Sequence, residues 1–559
     1  MRRLPLLFAA PFVLLAGCAT TKPAATLAEA TAADSAYGMF LAGSAALTEG
    51  HGAEATRLLG LARTQGAEDP TVAERAFTAA LLAGDLTKAA ELVPTAAGSE
   101  AVQRLGRLVV TVEALAAGKG KLARETFGAE PVGYPHRAAA ALLGPWVAAA
   151  AGDDEGAVVR PQIRGDAGVD FFGQIGQAQL FERARRYDEA ETDFKALTSG
   201  EGASDLALVA YGAYLERRGR RTEAVALYDT GLGRRPGNLL LRQARARAAT
   251  GKAAPAAPTV REGAAFALLA PAAAMTSARQ DPIALAYLRM ALRLDPRRND
   301  AWLMLGDILQ QVGDVDGARQ AYAKAGPGTP EFPAAQVKLA WSYQNAGDKV
   351  AALKLARAAA ATGDVDARRT VADLLRANDQ NAEAVQILSG LVTEASAPDW
   401  NLLFARGAAL ERLGRWPEAE ADLTAALKLQ PNEPELLNYL GYAWIDRGDR
   451  LREAMEMVER AVAASPRSGA IVDSLGWAHY RLGEYKAAVD TLEQAIELLA
   501  GDPEINNHLG DAYWMVGRKD EAVFQWRRVL TLTPDDKIKA DAQAKLASGL
   551  GPTPRLAGH

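Results

Sequence analysis

The chain has 559 residues, of which 49% are hydrophobic, 6% are aromatic and 23% are charged, so its core is built mainly from aliphatic residues, as is typical of helical proteins. The net charge of −5 provides no attraction for nucleic acid, and we therefore exclude a DNA-binding or RNA-binding role. One cysteine allows no internal disulfide, and with only five histidines we predict no metal centre.

Residues 1–17 predict an export signal. Arg2 and Arg3 precede the apolar stretch Leu4–Ala16, which as a helix would span roughly 20 Å and is too short to cross a membrane. The sequence Leu15-Ala16-Gly17-Cys18 resembles the bacterial lipobox. This resemblance implies that Cys18 carries diacylglycerol and becomes an acylated, palmitate-bearing N terminus after cleavage. The alternative is an ordinary secretory signal in which the cysteine falls by chance.

The residues that follow Cys18 indicate the cellular location of the protein and the nature of its N-terminal segment. Ala19 stands where lipoproteins retained in the inner membrane usually have Asp, so the resemblance to lipoprotein sorting signals implies the outer membrane, facing the periplasm. Residues 18–35 are rich in Ala and Thr, contain Pro23 and have almost no large apolar side chain. This composition predicts a flexible tether.

A period of about 34 residues runs through the remaining chain. In its C-terminal part the period is marked by Gly407, Gly441, Gly476 and Gly510, and by Ala419, Ala454, Ala488 and Ala522. Small residues at these places let two helices approach closely, and a glycine between the helices favours a tight turn. Large apolar residues recur at helical spacing, so each unit predicts a helical hairpin that needs a neighbouring hairpin to bury its apolar face.

This pattern resembles the tetratricopeptide repeat (TPR). The resemblance implies an all-α fold, a TPR α-solenoid in which hairpins form a right-handed superhelix. Weaker units precede residue 200 and stronger ones occupy 265–536. At 251–260, Pro255 and Pro258 interrupt the pattern. We predict an N-terminal degenerate TPR solenoid at 36–250, a Pro/Ala linker at 251–260, a C-terminal TPR solenoid at 261–546 and a disordered tail at 547–559. A surface loop inside one continuous superhelix is the alternative to the linker.

No pattern of catalytic or cofactor-binding residues is present. The sequence lacks a Walker loop, a G-x-S-x-G elbow and an H-E-x-x-H motif. His479 and His508 occupy first-helix positions at which packing is a better explanation than zinc binding, and Asp153-Asp154-Glu155 follows a predicted turn. We therefore predict a non-enzymatic protein with no cofactor, no metal and no small-molecule substrate.

The TPR resemblance implies a concave face lined by positions 2, 5, 9, 12 and 13 of each first helix. In the last repeats these positions combine aromatic rings with amide and carboxylate groups, a combination suited to binding a peptide. Packing on the neighbouring hairpin is the alternative role for the rings. The residues that we predict to bind a partner are Asn438, Tyr442, Asp473, Trp477, Tyr480, Arg481, Asn507, Asp511 and Trp514.

The segment from LLNYLGYAWIDRG to INNHLGDAYWMVGR resembles a proteobacterial group of TPR outer-membrane lipoproteins. This group includes adaptors that dock a carboxyl-terminal processing protease and its cell-wall hydrolase substrates. The resemblance implies a lipid-anchored periplasmic scaffold whose partners are periplasmic or outer-membrane proteins. The alternative function is that of an outer-membrane assembly or secretion factor, such as a pilotin or part of a protein or polysaccharide export machine.

Overall fold

The computed structural model describes residues 35–65, 69–94, 99–163, 165–200, 202–395 and 397–550. Within these ranges the chain forms 31 helices and no strand, and helices make up 76% of the protein. The predicted all-α fold is therefore confirmed. The leader, Cys18, all of the predicted tether except Ser35, and residues 551–559 of the predicted tail lie outside the described residues.

The described residues fall into two compact units, 35–367 and 368–550, which we call the N-terminal and C-terminal units. The N-terminal unit contains α1 (Ala36–Thr48), α2 (Gly52–Gln65), α3 (Pro70–Ala83), α4 (Leu86–Glu91), α5 (Glu100–Ala116), α6 (Gly120–Gly128), α7 (Arg137–Ala151), α8 (Asp154–Ala157), α9 (Ala167–Arg183), α10 (Tyr187–Thr198), α11 (Asp205–Arg217), α12 (Arg221–Arg234), α13 (Leu239–Ala249), α14 (Val260–Ala267), α15 (Leu269–Ser277), α16 (Asp281–Leu294), α17 (Asn299–Gln311), α18 (Val315–Tyr322), α19 (Phe332–Asn345) and α20 (Lys349–Ala360).

The boundary between the two units falls within α21 (Val365–Ala377). The C-terminal unit then continues with α22 (Asn381–Glu394), α23 (Trp400–Arg412), α24 (Trp416–Leu429), α25 (Pro434–Arg447), α26 (Leu451–Ala464), α27 (Gly469–Arg481), α28 (Tyr485–Leu498), α29 (Pro503–Met515), α30 (Lys519–Thr531) and α31 (Asp536–Ser548).

The small residues of the repeat lie where two helices of a hairpin touch. A Cβ atom added at Gly510 would lie 2.5 Å from Nε1 of Trp526, and one added at Gly476 would lie 2.5 Å from Cγ of Leu492. The turn glycine Gly483 has a φ of 80°, a left-handed conformation that ends α27. The hairpin predicted from these residues is therefore the one observed.

The N-terminal unit has a core that includes residues on both sides of 251–260. One cluster of buried apolar residues extends from Ala46 to Leu180 and continues from Ala264 to Leu339. Within it, α16 packs against α3 and α5, and Nε of Arg289 donates to the backbone oxygen of Leu82 at 3.2 Å. Helices that are distant in sequence thus share one hydrophobic core.

This shared core changes the interpretation of the Pro/Ala segment. Residues 252–259 contain no helix, in agreement with the two prolines that interrupt the pattern. The division between the compact units, however, lies within α21 rather than at 251–260. The physical reason is that α14 packs on α7 and α9, so the chain after the segment returns to the same core.

A buried histidine should make the N-terminal unit sensitive to acid. His136 lies with Nδ1 2.7 Å from the hydroxyl of Tyr287, and burial lowers its pKa from 6.5 to about 4. Between these pH values the unfolded chain binds a proton that the folded chain does not bind. The free energy of unfolding should therefore fall as the pH decreases from 6.5 to 4, by about 3 kcal/mol for this residue.

The variant His136→Phe tests this pH dependence. Urea unfolding at pH 7 and pH 4 should show a smaller loss of stability in the variant than in the wild type, because phenylalanine does not titrate. An equal loss in both proteins would contradict the assignment.

Candidate partner-binding face of the last repeats

The first helices of the last repeats lie next to one another. In the C-terminal unit α25 contacts α27, α27 contacts α29, and α29 contacts α31. Equivalent positions recur at 34 or 35 residues, so that Asp541 follows Asn507 and Lys545 follows Asp511. Helix α31 therefore takes the place of the first helix of an incomplete further repeat.

Lys545 joins α31 to α29 through a polar network, which we call the lysine cluster. Its members Asn507, Asp511 and Lys545 are buried, and the side chain of its fourth member, Asp541, is 45% exposed. Nζ of Lys545 lies 2.8 Å from Asp511 Oδ2 and 2.6 Å from Asp541 Oδ2, and it donates to Asn507 Oδ1 at 3.1 Å. Nδ2 of Asn507 donates to Asp541 Oδ2 at 2.8 Å. The only lysine buried among the described residues is thus surrounded by three oxygen acceptors.

The lysine cluster shifts the titration of its two carboxyl groups. Burial raises the pKa of Asp511, and the ammonium group of Lys545 opposes that rise. For Asp541, burial also acts to raise the pKa, but the hydrogen bonds from Lys545 and Asn507 outweigh it, and the pKa is lowered. Asn507 and Asp511 therefore bind the protein's own last helix, and their predicted contact with a partner stays a prediction.

A second group of side chains, the stacked cluster, consists of Asp473, Trp477, Tyr480 and His508. The ring of Trp477 stacks on His508 at 4.1 Å and on Tyr480 at 4.7 Å, with interplanar angles of 13° and 6°. Nδ1 of His508 lies 2.9 Å from Oδ1 of Asp473, and both residues are buried. Burial raises the pKa of the Tyr480 hydroxyl. The cluster ties α27 to α29 and leaves Trp477 only half-buried.

Trp514 is placed differently from Trp477. Its ring lies 5.3 Å from that of the fully buried Trp526, and Nζ of Lys519 lies 3.3 Å from its centroid. Nε1 of Trp526 donates to Oδ1 of Asp511 at 3.0 Å, which connects this pair to the lysine cluster. These contacts identify packing of the last hairpin as a role of Trp514.

Three other predicted residues, Asn438, Tyr442 and Arg481, belong to neither cluster. Tyr442 and Arg481 are half-buried, and Nη1 of Arg481 donates to the backbone oxygen of Asp446 at 2.9 Å. Asn438 is buried, and its Oδ1 has no hydrogen-bond partner among the described residues; the same holds for Nε1 of Trp477. A buried polar atom without a partner costs about 1–3 kcal/mol, and both atoms are enclosed by neighbouring groups, so an incoming main chain does not reach them in this conformation.

Two features of this face do not follow from the sequence pattern of a single repeat. His508, for which the sequence predicts packing rather than zinc binding, pairs with Asp473 and stacks on Trp477. Lys545 was not selected at all, although the 34-residue period, continued from Asp511, points to it.

The geometry of the hairpins defines a class of protein, an all-α repeat protein with neighbouring hairpins in contact. Comparison with protein families then identifies the hairpins themselves. A family model described as "TPR repeat" matches residues 476–517, and one described as "Tetratricopeptide repeat" matches 175–238, 280–331 and 404–469. The chain contains tetratricopeptide repeats, which indicate a protein-interaction scaffold of a typically non-catalytic class.

Two curated proteins are similar to parts of the chain. The TPR repeat-containing protein PA4667 of Pseudomonas aeruginosa is 33% identical over 211 residues, which is 37% of this chain and 35% of that protein. Bacteriophage adsorption protein A of Escherichia coli is 35% identical over 91 residues, 16% of this chain and 9% of that protein. The chain thus spans about a third, or less, of the length of these relatives.

Among solved structures, the APC/C hetero-tetramer Cut9-Hcn1 contains a chain that is similar over 94% of this chain and 98% of its own length. The sequence identity is 16% and the TM-score is 0.40.

Proposed function

We propose that this protein is a non-catalytic scaffold, anchored to the outer membrane through lipid on Cys18 and facing the periplasm, which binds envelope proteins. Binding takes place on the first-helix face formed by α25, α27 and α29. The repeats support a scaffold role, and the lipobox-like sequence supports the anchor. No helix among the described residues combines the length and the apolar character needed to cross a membrane.

The observation that carries the binding site is a set of half-buried side chains on two adjacent first helices: Tyr442 on α25, and Trp477 and Arg481 on α27. Aromatic rings supply contact area at low entropy cost, and the guanidinium group of Arg481 adds hydrogen-bond donors. We expect the partner to present a main-chain segment to this part of the face.

The adaptor role in cell-wall turnover rests on the resemblance to lipoproteins that dock a carboxyl-terminal processing protease. Crosslinking in cells, followed by mass spectrometry of the purified lipoprotein, tests it directly. Crosslinks from α25–α29 to a protease or a cell-wall hydrolase would support the adaptor. Crosslinks to components of an export or assembly machine would replace it with the alternative function of a secretion accessory factor.

Trp477→Ala should weaken partner capture, by about 2 kcal/mol or roughly 30-fold if the ring is a binding hot spot. Trp477→Phe should lose only part of this affinity, because it keeps an aromatic ring of smaller area. Partner affinity should be measured by titration at a temperature at which both variants are folded.

Thermal melting of the same variants separates binding from packing. Trp514→Ala should lower the melting temperature and change affinity less, because Trp514 packs on Trp526. Glu497→Ala, an exposed position on α28, is the control and should change neither quantity. Unchanged affinity in Trp477→Ala would move the binding site away from this face.

The anchor is tested by Cys18→Ser. The serine hydroxyl does not form the thioether, so the variant should keep its leader and carry no acyl chains. Gel mobility and labelling with a radioactive fatty acid measure both properties. Equal mobility and equal labelling of wild type and variant would contradict a lipid anchor on Cys18.

A further inference from the structure

Helix α1 differs in composition from every other long helix that the structure describes. Its sequence, AYGMFLAGSAALT, contains no Asp, Glu, Lys or Arg, whereas each other described helix of ten or more residues contains at least one. A helix that is apolar all round is normally buried on every side. Helix α1, however, is the first described helix of the N-terminal unit, and α2 is its main contact.

The inner and outer faces of α1 have different surroundings. The inner face packs on α2, where a Cβ atom added at Gly43 would lie 2.7 Å from Cγ of Leu59. On the outer face Tyr37 is 70% exposed and Leu41 is 50% exposed, and Ala45 is exposed as well. Residues four apart lie on one face of a helix, so these three side chains form a continuous apolar stripe.

The last described helix shows how a helix at the end of a repeat array is made compatible with water. Helix α31 exposes Lys537, Lys539 and Asp541. Terminal units of repeat proteins require such a polar outer surface to remain soluble. The stripe on α1 lacks it, which indicates that another apolar surface covers it.

We propose that the outer stripe of α1 rests on the lipid bilayer that holds the acyl chains of Cys18. The proposal depends on the lipid anchor proposed above. Eighteen residues separate Cys18 from Tyr37, a length that as a random coil would have a root-mean-square span of about 25 Å. The anchor therefore keeps α1 near the membrane at high effective concentration, and even a weak contact is populated.

The composition of α1 fits a membrane surface. No charged side chain of the helix has to be desolvated, and tyrosine is enriched at the boundary between lipid and water. Residues 19–34 of the same chain offer little apolar surface with which to cover the stripe, because Leu27 is the only large apolar residue among them. A second copy is also a poor cover: three side chains bury on the order of 300 Å² per copy, well below what a stable dimer needs.

The test uses a fluorescent label on the full, acylated protein. Cys18 is the only cysteine, and acylation blocks its sulfur, so Leu41→Cys provides one reactive thiol. The control is Val350→Cys on α20, where an apolar side chain is 81% exposed. Both proteins are labelled with an environment-sensitive nitrobenzoxadiazole dye and reconstituted into vesicles of phosphatidylethanolamine and phosphatidylglycerol.

The proposal predicts that the dye at position 41 emits at shorter wavelength in vesicles and is quenched by brominated lipids, whereas the dye at position 350 shows neither effect. Adding Tyr37→Glu to Leu41→Cys should abolish the quenching. Equal behaviour at positions 41 and 350 would overturn the proposal. A wavelength shift that grows with protein density but is insensitive to brominated lipids would overturn it in favour of a second copy.

Failure of the anchor itself is recognised separately. If wild-type protein reacts with the dye, Cys18 is not acylated, and the membrane contact is overturned together with the anchor. The scaffold role on α25–α29 would be unaffected by that result, because partner affinity is measured on a different unit of the protein.

Discussion

Replacing Lys545 with methionine is expected to destabilise the last hairpin by about 3–5 kcal/mol. Lys545 and Asp511 are both buried, and removing one partner of a buried ion pair leaves the other charge without compensation. Methionine keeps the apolar part of the lysine side chain and removes the ammonium group, so the loss reports the charge interaction rather than packing. Urea unfolding and hydrogen exchange of the α29–α31 amides measure it.

Two further variants separate the charge effect from a general effect on α31. Lys539→Met changes an exposed lysine on the same helix and should leave stability almost unchanged. Asp511→Asn, added to Lys545→Met, should restore part of the loss, because it removes the unpaired charge while its amide oxygen still accepts from Trp526. If Lys545→Met and Lys539→Met had the same stability, the lysine cluster would not hold α31 in place.

The second large effect is expected for Trp146→Ala in the N-terminal unit, which should lose about 3–5 kcal/mol. Trp146 is one of the largest buried side chains, with 2% of its surface exposed. A Cβ atom added at Gly263 of α14 would lie 2.1 Å from its ring, so the indole fills the space between α7 and α14. Alanine would leave a cavity at this contact.

Hydrogen exchange shows whether the effect reaches α14. Because α14 follows the Pro/Ala segment, reduced protection of its amides in Trp146→Ala would show that the two sides of 251–260 are stabilised together. Leu122→Ala on α6, where the side chain is 45% exposed, is the control and should leave α14 protected. Unchanged protection of α14 in Trp146→Ala would instead support 251–260 as a boundary between independent solenoids.

Most of the fold could be predicted because it consists of contacts between residues close in sequence, and the same contacts recur in every repeat. Gly476 and Leu492 belong to one hairpin and lie 16 residues apart, and the same relation recurs at Gly510 and Trp526. Such a contact is visible in a single unit and is reinforced by each repetition. The turn glycines, such as Gly483, add a backbone conformation that few other residues adopt readily.

The candidate site was predictable only as a set of positions. The period correctly placed Asn438, Trp477 and Asp511 on the first helices. The period could not predict which of these side chains form contacts within the protein, because those contacts involve residues 34 or more positions away. Asp511 pairs with Lys545, whereas Oδ1 of Asn438 receives no such partner from the described residues.

The sequence by itself determined the all-α class, the hairpin unit and the interruption of the pattern at Pro255 and Pro258, since each follows from local spacing and backbone preference. Only the tertiary structure decided that α14 and α16 pack beside α7 and α5 in one core, and that α31 covers the end of the last repeat. The physical reason is the same in both cases. Apolar burial and the pairing of buried charges depend on which surfaces meet, and surfaces that are distant in the chain meet only after folding.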